Sequence, residues 1–133
     1  MYILIDASWS SERLKYRFLK MTNDYSKLGY RTSVFTFSKT LERLSNRDYY
    51  PLLKDYDIGG STALYDCIEE LCDLVDQECS TEPFIVILTD GNDTSSRSCQ
   101  KVDLENLMFK LRWKGWTFEF PHVNPFRKYP LCF

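Results

Sequence analysis

The chain alternates between apolar runs and segments in which apolar residues recur at helical spacing. Two segments built on uninterrupted apolar runs, Tyr2–Asp6 and Phe84–Leu88, predict strands that are buried on both faces of a sheet. A β-branched and aromatic run at Ser33–Phe37 predicts a third strand, and residues 41–44 are expected to pair back against it as a short antiparallel edge. Aromatic residues alternate with polar ones at 116–120, which predicts a last strand.

In the segments between these strands, apolar residues recur at helical spacing. This spacing covers residues 11–28, with Gly29 as a C-terminal stop, residues 64–77, and a third segment around 104–111 with Asp103 near its N-terminus. Strands and helices that alternate in this way predict an α/β fold. We expect a Rossmann-like, doubly wound, mainly parallel sheet flanked by helices, with one short antiparallel edge strand.

Composition narrows the class of protein. A chain of 133 residues with 44% hydrophobic residues is expected to form a single domain, 1–133, with an irregular tail at 121–133. The formal net charge is only −2 and basic residues are interleaved with acidic ones, so nucleic-acid binding is not expected. No apolar run is long enough to span a membrane, and the first strand begins at Tyr2 without room for a leader, which predicts a soluble cytoplasmic protein.

The cysteines do not form a recognisable metal or disulfide pattern. There are five, with no C-x-x-C pair, and the chain has one histidine, His122. A zinc site is therefore not expected, and free thiols in a reducing compartment fit best.

Oxygen-bearing side chains follow the first predicted strand at i, i+2 and i+4. Asp6, Ser8 and Ser10 offer a carboxylate and two hydroxyls where a buried strand gives way to a helix. Taken alone, these residues favour a capped turn over a metal site. They also match the hard oxygen donors that bind small divalent cations.

Two further residues favour a metal site over a capped turn. Asp90 follows the strand Phe84–Leu88, and Thr62 opens a helix after Gly59 and Gly60. Ligands of an open parallel sheet collect outside the carboxyl ends of its strands, so these side chains are expected to share one crevice with Asp6. The set fits Mg²⁺, with Mn²⁺ as an alternative, because calcium prefers more carboxylates and carbonyls and zinc prefers histidine or cysteine.

This pattern resembles the von Willebrand factor A (VWA) domain with a complete metal-ion-dependent adhesion site (MIDAS). The matching parts are Asp-x-Ser-x-Ser at 6–10, a threonine in a glycine-rich loop at 59–66, and Asp-Gly at 90–91. The similarity extends from Tyr2 to about Phe120. The five positions match in order, each on the expected kind of element.

The resemblance implies a bound ion at the top of the sheet and a binding function. Ser8, Ser10 and Thr62 would coordinate directly or through water, and Asp6 and Asp90 would supply the charge. A glutamate or aspartate of a protein partner would complete the coordination. Asp66 matches a family position as well, and we weigh it as support for the site or as a surface charge.

The chain also departs from the family pattern. Trp9 replaces a small residue, usually glycine, and either contacts a partner or packs over the adjoining loop. Family members usually continue through another strand and a closing helix, which this chain lacks, so 116–120 is expected to be an edge strand covered by the tail or by a second copy in a homo-oligomer.

We expect the partner-binding rim to surround the ion. Its predicted members are Trp9, Gly60, Asn92 and Asp93; the rest of the loop 92–97 and Tyr49, Tyr50 and Tyr56 are further candidates, although the tyrosines equally fit a roof over the core. No nucleophile–base set accompanies the oxygens, so we expect no enzyme activity. The alternatives are a metal-dependent phosphoester hydrolase and a structural protein with a vestigial site.

Overall fold

A computed structural model describes residues 1–45, 56–79 and 81–126. Its five strands form one sheet in the order β3-β2-β1-β4-β5. Four strands are parallel, and only β3 runs antiparallel, at the edge beside β2. This confirms the predicted α/β architecture. The strands are β1 (Tyr2–Asp6), β2 (Ser33–Phe37), β3 (Leu41–Ser45), β4 (Phe84–Leu88) and β5 (Thr117–Glu119).

The helices follow the predicted segments with one difference at the first. That segment begins as a 3₁₀ helix, Trp9–Leu14, and becomes the α-helix α1 only at Lys15–Ser26. The first turn is tight because the Ser11 N–H donates to the Ser8 carbonyl at 3.0 Å, three residues back. The other helices are α2 (Leu64–Glu78) and α3 (Lys101–Trp113), and no helix in the described ranges is long and apolar enough to cross a membrane.

The central strands bury side chains on both faces, which explains their uninterrupted apolar sequences. In β1, Tyr2 and Leu4 pack in one cluster with residues of α2 and α3, whereas Ile3 and Ile5 pack in a second cluster with Phe18 of α1. Successive strand residues point to opposite faces, so each apolar residue of β1 reaches one of the two cores. The sheet is thus covered by helices on both sides.

The segment that follows β5 lies against the first cluster. Residues 121–126 contain no helix or strand, and Phe126 is buried, with its ring centroid 6.0 Å from that of Tyr65 and 5.6 Å from that of Phe120. Trp116 and Phe118 are buried as well. The aromatic side chains at this edge are therefore covered by the chain itself over the described part of the tail; residues 127–133 lie outside the described ranges.

Candidate metal centre

Asp6 lies at the carboxyl end of β1 and is completely buried. Its Oδ1 accepts hydrogen bonds from the Ser8 N–H at 3.0 Å and the Ser8 hydroxyl at 2.6 Å. Its Oδ2 accepts a hydrogen bond at 3.0 Å from the hydroxyl of Thr89, one residue beyond the Ile5–Leu88 pair of β1 and β4. Because the two strands are parallel neighbours, Thr89 comes directly beside Asp6.

The first predicted triplet forms a continuous group of oxygens. The hydroxyl oxygens of Ser8 and Ser10 lie 3.1 Å apart, and the Ser8 hydroxyl in turn bonds Asp6. The Ser8 side chain does not cap the helix that follows. Ser8 is therefore not a side-chain cap and orders the carboxylate instead, whereas Asp6 does close a turn by accepting the Ser8 N–H, as the capped-turn interpretation predicted.

Thr62 lies in the loop that leads into α2, held by its backbone. Its N–H donates to the Thr94 hydroxyl at 2.9 Å, and its carbonyl accepts the N–H groups of Thr94 and Ser95 at 2.8 and 2.9 Å. The Thr62 side chain is buried, and among the described residues its hydroxyl has no hydrogen-bond partner. This leaves the hydroxyl available to a ligand.

The negative charge of Asp90 acts on the carboxyl group of Asp6. Burial raises the pKa of Asp6, the negative charge of Asp90 adds to the rise, and the hydrogen bonds from Ser8 and Thr89 act in the opposite direction. Within the described ranges no lysine or arginine pairs with Asp6. A buried carboxylate with a second carboxylate nearby and no cationic partner is costly, because a buried charge is stabilised only by pairing or by a metal.

A cleft of about 340 Å³ lies between the loops that carry Ser10 and Thr62. Its walls include Ser10 and Thr62 from the predicted ligands and all four residues of the predicted rim; the complete lining is Trp9, Ser10, Gly60, Ser61, Thr62, Asn92, Asp93 and Thr94. The three loops predicted to converge do therefore meet at one cleft.

The loops are joined by backbone hydrogen bonds and by one conformationally demanding glycine. The Gly59 N–H donates to the Ala7 carbonyl at 2.9 Å, and the Trp9 N–H donates to the Gly60 carbonyl at 3.1 Å. Gly60 has a φ of +84°, a conformation that residues with a Cβ adopt at a cost. The glycine pair thus fixes the first loop against the second.

Among the aromatic candidates for the rim, Trp9 and Tyr56 have opposite positions. Trp9 is 65% exposed, whereas Tyr56 is buried in the second cluster and donates its hydroxyl to the Lys15 carbonyl at 3.2 Å. Tyr56 is therefore part of the roof over the core, and Tyr49 and Tyr50 lie outside the described residues.

Polar side chains of the loop before α3 hold the start of α2. Asp93 Oδ1 accepts hydrogen bonds from the Ser96 hydroxyl at 2.5 Å and the Tyr65 N–H at 3.3 Å, and the Asp66 N–H donates to the Ser96 hydroxyl at 3.0 Å. Asp93 is thus a structural cap as well as a wall of the cleft, since a carboxylate stabilises the positive end of a helix.

Asp66, in the first turn of α2, in turn holds the loop before α3. Its carboxylate accepts the N–H groups of Arg97, Ser98 and Cys99 at 2.7, 3.2 and 2.8 Å, and the Ser98 hydroxyl at 3.2 Å. Partial burial raises the pKa of Asp66, but these hydrogen bonds outweigh it and the pKa is lowered overall. Of the two roles weighed for Asp66, the structure supports that of holding a loop of the site.

Sequence reasoning did not identify the role of Thr89, and it included Ser96 only as part of the candidate rim loop 92–97. Thr89 precedes Asp90 at the end of β4, so its position was a usable signal, although its contact with Asp6 depends on which strands are neighbours. The contact of Ser96 with Asp93 is local, but its bond with the Asp66 N–H joins residues 30 positions apart and carried no sequence signal.

The donor chemistry fits an oxygen-binding cation. Within residues 1–45, 56–79 and 81–126, no three histidine, cysteine, aspartate or glutamate side chains cluster as metal ligands. Burial raises the pKa of the Cys67, Cys72 and Cys99 thiols to about 12, so these cysteines are protonated at neutral pH. An ion in this cleft would meet the oxygens of Ser10 and Thr62, whereas Asp6, Ser8 and Asp90 are not part of its lining.

No family model and no curated protein matches the chain, but solved structures do. The chain is similar to the ArnB paralog VWA2 from Sulfolobus acidocaldarius, with 21% identity, a TM-score of 0.57, and coverage of 72% of this chain and 28% of that one. It is also similar to proximal thread matrix protein 1 from the mussel byssus with a zinc-occupied MIDAS motif, with 18% identity, a TM-score of 0.63, and coverage of 88% and 33%. The chain spans a third or less of the length of these proteins. At these identities the likeness shows the fold alone, which is VWA-like.

Proposed function

We propose that this chain is a metal-dependent protein-interaction module. In this proposal Asp6, Ser8, Ser10, Thr62 and Asp90 hold Mg²⁺, or Mn²⁺ in its place, and a glutamate or aspartate of a partner protein completes the coordination. When bound, the ion supplies a positive site for that carboxylate. The residues of the chain supply the oxygens, their orientation and the surrounding cleft.

The observation that carries the proposal is the unpaired burial of Asp6. Its carboxylate is fully buried, lies within the influence of Asp90, and has no basic partner among the described residues. A buried charge of this kind lowers the stability of the fold, since removing water from a carboxylate costs several kcal/mol. A divalent cation would balance both carboxylates and leave open positions for an incoming acid.

The hydroxyls support the same interpretation. Ser8 and Ser10 present adjacent oxygens, and Thr62 is a buried residue of the cleft lining whose hydroxyl has no partner within the described residues. Hydroxyl, carboxylate and water are ligands suited to Mg²⁺ and Mn²⁺.

Binding accounts for these residues better than catalysis. The single histidine, His122, packs its ring edge-to-face against Phe18 at 5.4 Å between centroids, and the Ser8 hydroxyl bonds the Asp6 carboxylate rather than a histidine. A nucleophile needs an adjacent base or a lowered pKa, and the three buried thiols have raised pKa values.

Calorimetric titration of Mg²⁺ and Mn²⁺ into chelator-treated protein tests the metal site. We expect saturable binding that weakens at least about tenfold in Ser10→Ala and Thr62→Val, as is typical when a ligand or its support is lost. Ser26→Ala is the control, because within the described part of the chain the Ser26 hydroxyl bonds only the Asn23 carbonyl on α1. Absence of binding by the wild-type protein would refute the site.

A small carboxylate tests the bridging function. N-acetylaspartate amide should displace water from the Mn²⁺-loaded protein, seen as reduced water-proton relaxation, and N-acetylasparagine amide should not. Equal effects of the two compounds would contradict bridging. Metal-dependent phosphate release from p-nitrophenyl phosphate, lost in Thr62→Val, would favour the hydrolase instead.

A further inference from the structure

Thr89 joins the two loops that carry the candidate carboxylates. It directly follows β4 and is completely buried. Its hydroxyl donates to Asp6 Oδ2 at 3.0 Å and accepts the Gly91 N–H at 3.1 Å. Because Gly91 comes directly after Asp90, this one hydroxyl connects the end of β1 to the turn that carries the second carboxylate.

The direction of both hydrogen bonds of Thr89 is fixed by chemistry. An ionised carboxylate only accepts hydrogen bonds and a backbone N–H only donates, so the single hydroxyl proton of Thr89 points to Asp6 and an oxygen lone pair faces Gly91. Rotating the hydroxyl away would leave a buried carboxylate oxygen without this donor, which costs free energy. The hydroxyl is therefore held in one orientation from both sides.

Thr89 contacts the oxygen of Asp6 that keeps an open acceptor position. A carboxylate has about four such positions, about two on each oxygen. Within the described residues, the N–H and hydroxyl of Ser8 occupy both positions on Oδ1, and Thr89 occupies one on Oδ2. Asp6 can therefore meet a cation, or water bound to one, only through Oδ2, the oxygen that Thr89 holds in place.

We propose that Thr89 is a positioning residue that makes the site selective for Mg²⁺ over Ca²⁺. This inference rests on the proposed function, which supplies the ion. Mg²⁺ requires a near-octahedral set of oxygens at about 2.0–2.1 Å, whereas Ca²⁺ accepts irregular sets of about six to eight oxygens at about 2.3–2.6 Å. With the Thr89 hydroxyl in place, Asp6 and the Asp90 turn cannot shift independently to suit the larger ion, and without it they can.

Calorimetric titration of Mg²⁺ and Ca²⁺ into chelator-treated protein measures this selectivity. Thr89→Val keeps the shape of the side chain and removes the hydroxyl, and we expect it to weaken Mg²⁺ binding about tenfold or more, as is usual when a group that supports a metal ligand is lost. Ca²⁺ binding should weaken less, so the ratio of Mg²⁺ affinity to Ca²⁺ affinity falls. Thr89→Ser should retain the wild-type ratio, because serine keeps the hydroxyl.

Thr22→Val is the matched control, because Thr22 is also a buried threonine and its hydroxyl bonds the Phe18 carbonyl within α1. It should leave both affinities unchanged. An unchanged affinity ratio in Thr89→Val, including equal losses for the two ions, would overturn the inference, as would a wild-type protein that prefers Ca²⁺. Absence of Mg²⁺ and Mn²⁺ binding by the wild-type protein refutes the proposed function together with this inference, whereas metal binding with an unchanged ratio refutes only the inference.

The hydroxyl proton of Thr89 offers a second measurement, on the metal-free wild-type protein, that does not depend on the folding of a variant. A buried hydroxyl bonded to a carboxylate exchanges slowly with water, so its proton should give a resolved NMR signal with a nuclear Overhauser contact to the Gly91 N–H. Rapid exchange of this proton with water would overturn the inference, because the hydroxyl would then not hold Asp6 in place.

Discussion

The substitution Asp6→Asn is expected to stabilise the metal-free protein while it removes the response to metal. The side chain is completely buried and carries a charge without a basic partner in the described part of the chain. Asparagine has nearly the same shape. Its amide oxygen can accept the two Ser8 hydrogen bonds, and its amide N–H can donate to the Thr89 hydroxyl, which now donates to Asp6 Oδ2.

The magnitude follows from two opposing effects. Burial of a carboxylate costs several kcal/mol, and hydrogen bonds to a charged group each return about 1.5–3 kcal/mol. Because the pKa of Asp6 is raised by burial despite its hydrogen bonds, burial is the larger effect. We therefore expect the free energy of unfolding to rise by about 1–2 kcal/mol, or the Tm by roughly 4–7 °C for a chain of this size.

Thermal and urea denaturation with chelator, and again with saturating Mg²⁺, measure both parts of the prediction. Mg²⁺ at about one hundred times its Kd should stabilise the wild-type protein by about 2.7 kcal/mol and leave Asp6→Asn unchanged, so their order of stability reverses. Asp24→Asn is the control, because Asp24 is exposed on α1 and paired with Lys20 at 2.9 Å; it should be stabilised by Mg²⁺ as much as the wild-type protein. A metal-free Asp6→Asn protein less stable than the wild type would refute the reasoning about the buried charge.

The remaining predictions concern the loops around the cleft. Gly60→Ala should cost about 1–2 kcal/mol, because φ is +84° and a Cβ would lie 3.3 Å from the Ser38 Oγ, whereas Gly59→Ala, with open space and no positive φ, should not destabilise in the same urea denaturation. Asp66 has a lowered pKa, so its stabilisation is present above the unfolded pKa of about 4 and lost as pH falls through the folded value. Asp66→Asn should therefore reduce the fall in the free energy of unfolding between pH 5 and pH 3. An unchanged dependence of this free energy on pH would contradict the prediction. The Ser11 hydroxyl is buried without a partner, so Ser11→Ala should leave the Tm unchanged or raise it, and a clear loss would show an interaction that the described residues lack.

Local sequence was sufficient for most elements of the fold. The predicted bounds of Tyr2–Asp6, Ser33–Phe37 and Phe84–Leu88 match the structure, because strands that are covered on both faces are largely apolar or β-branched. The helix predicted at 64–77 extends one residue further, to Glu78. The start of the first helix was less predictable, since a 3₁₀ turn and an α-helix have similar spacing over one turn.

Local sequence predicted only part of the candidate site. Asp6, Ser8 and Ser10 are close in sequence, so their contact follows from a single loop. Which distant residues join them depends on strand order: β1 lies between β2 and β4, and this brings Thr89 to Asp6 across 83 positions. Propensity and spacing do not specify such pairings, because they are decided by how the whole sheet packs.

The sequence by itself therefore determined the strands, the helices and the oxygen-rich chemistry at the strand ends. The tertiary structure alone decided that Tyr56 is buried and Trp9 exposed, and that Asp66 holds residues 97–99. The physical reason is that hydrophobic periodicity is a local property, whereas burial and hydrogen-bond partners depend on contacts between segments far apart in the chain.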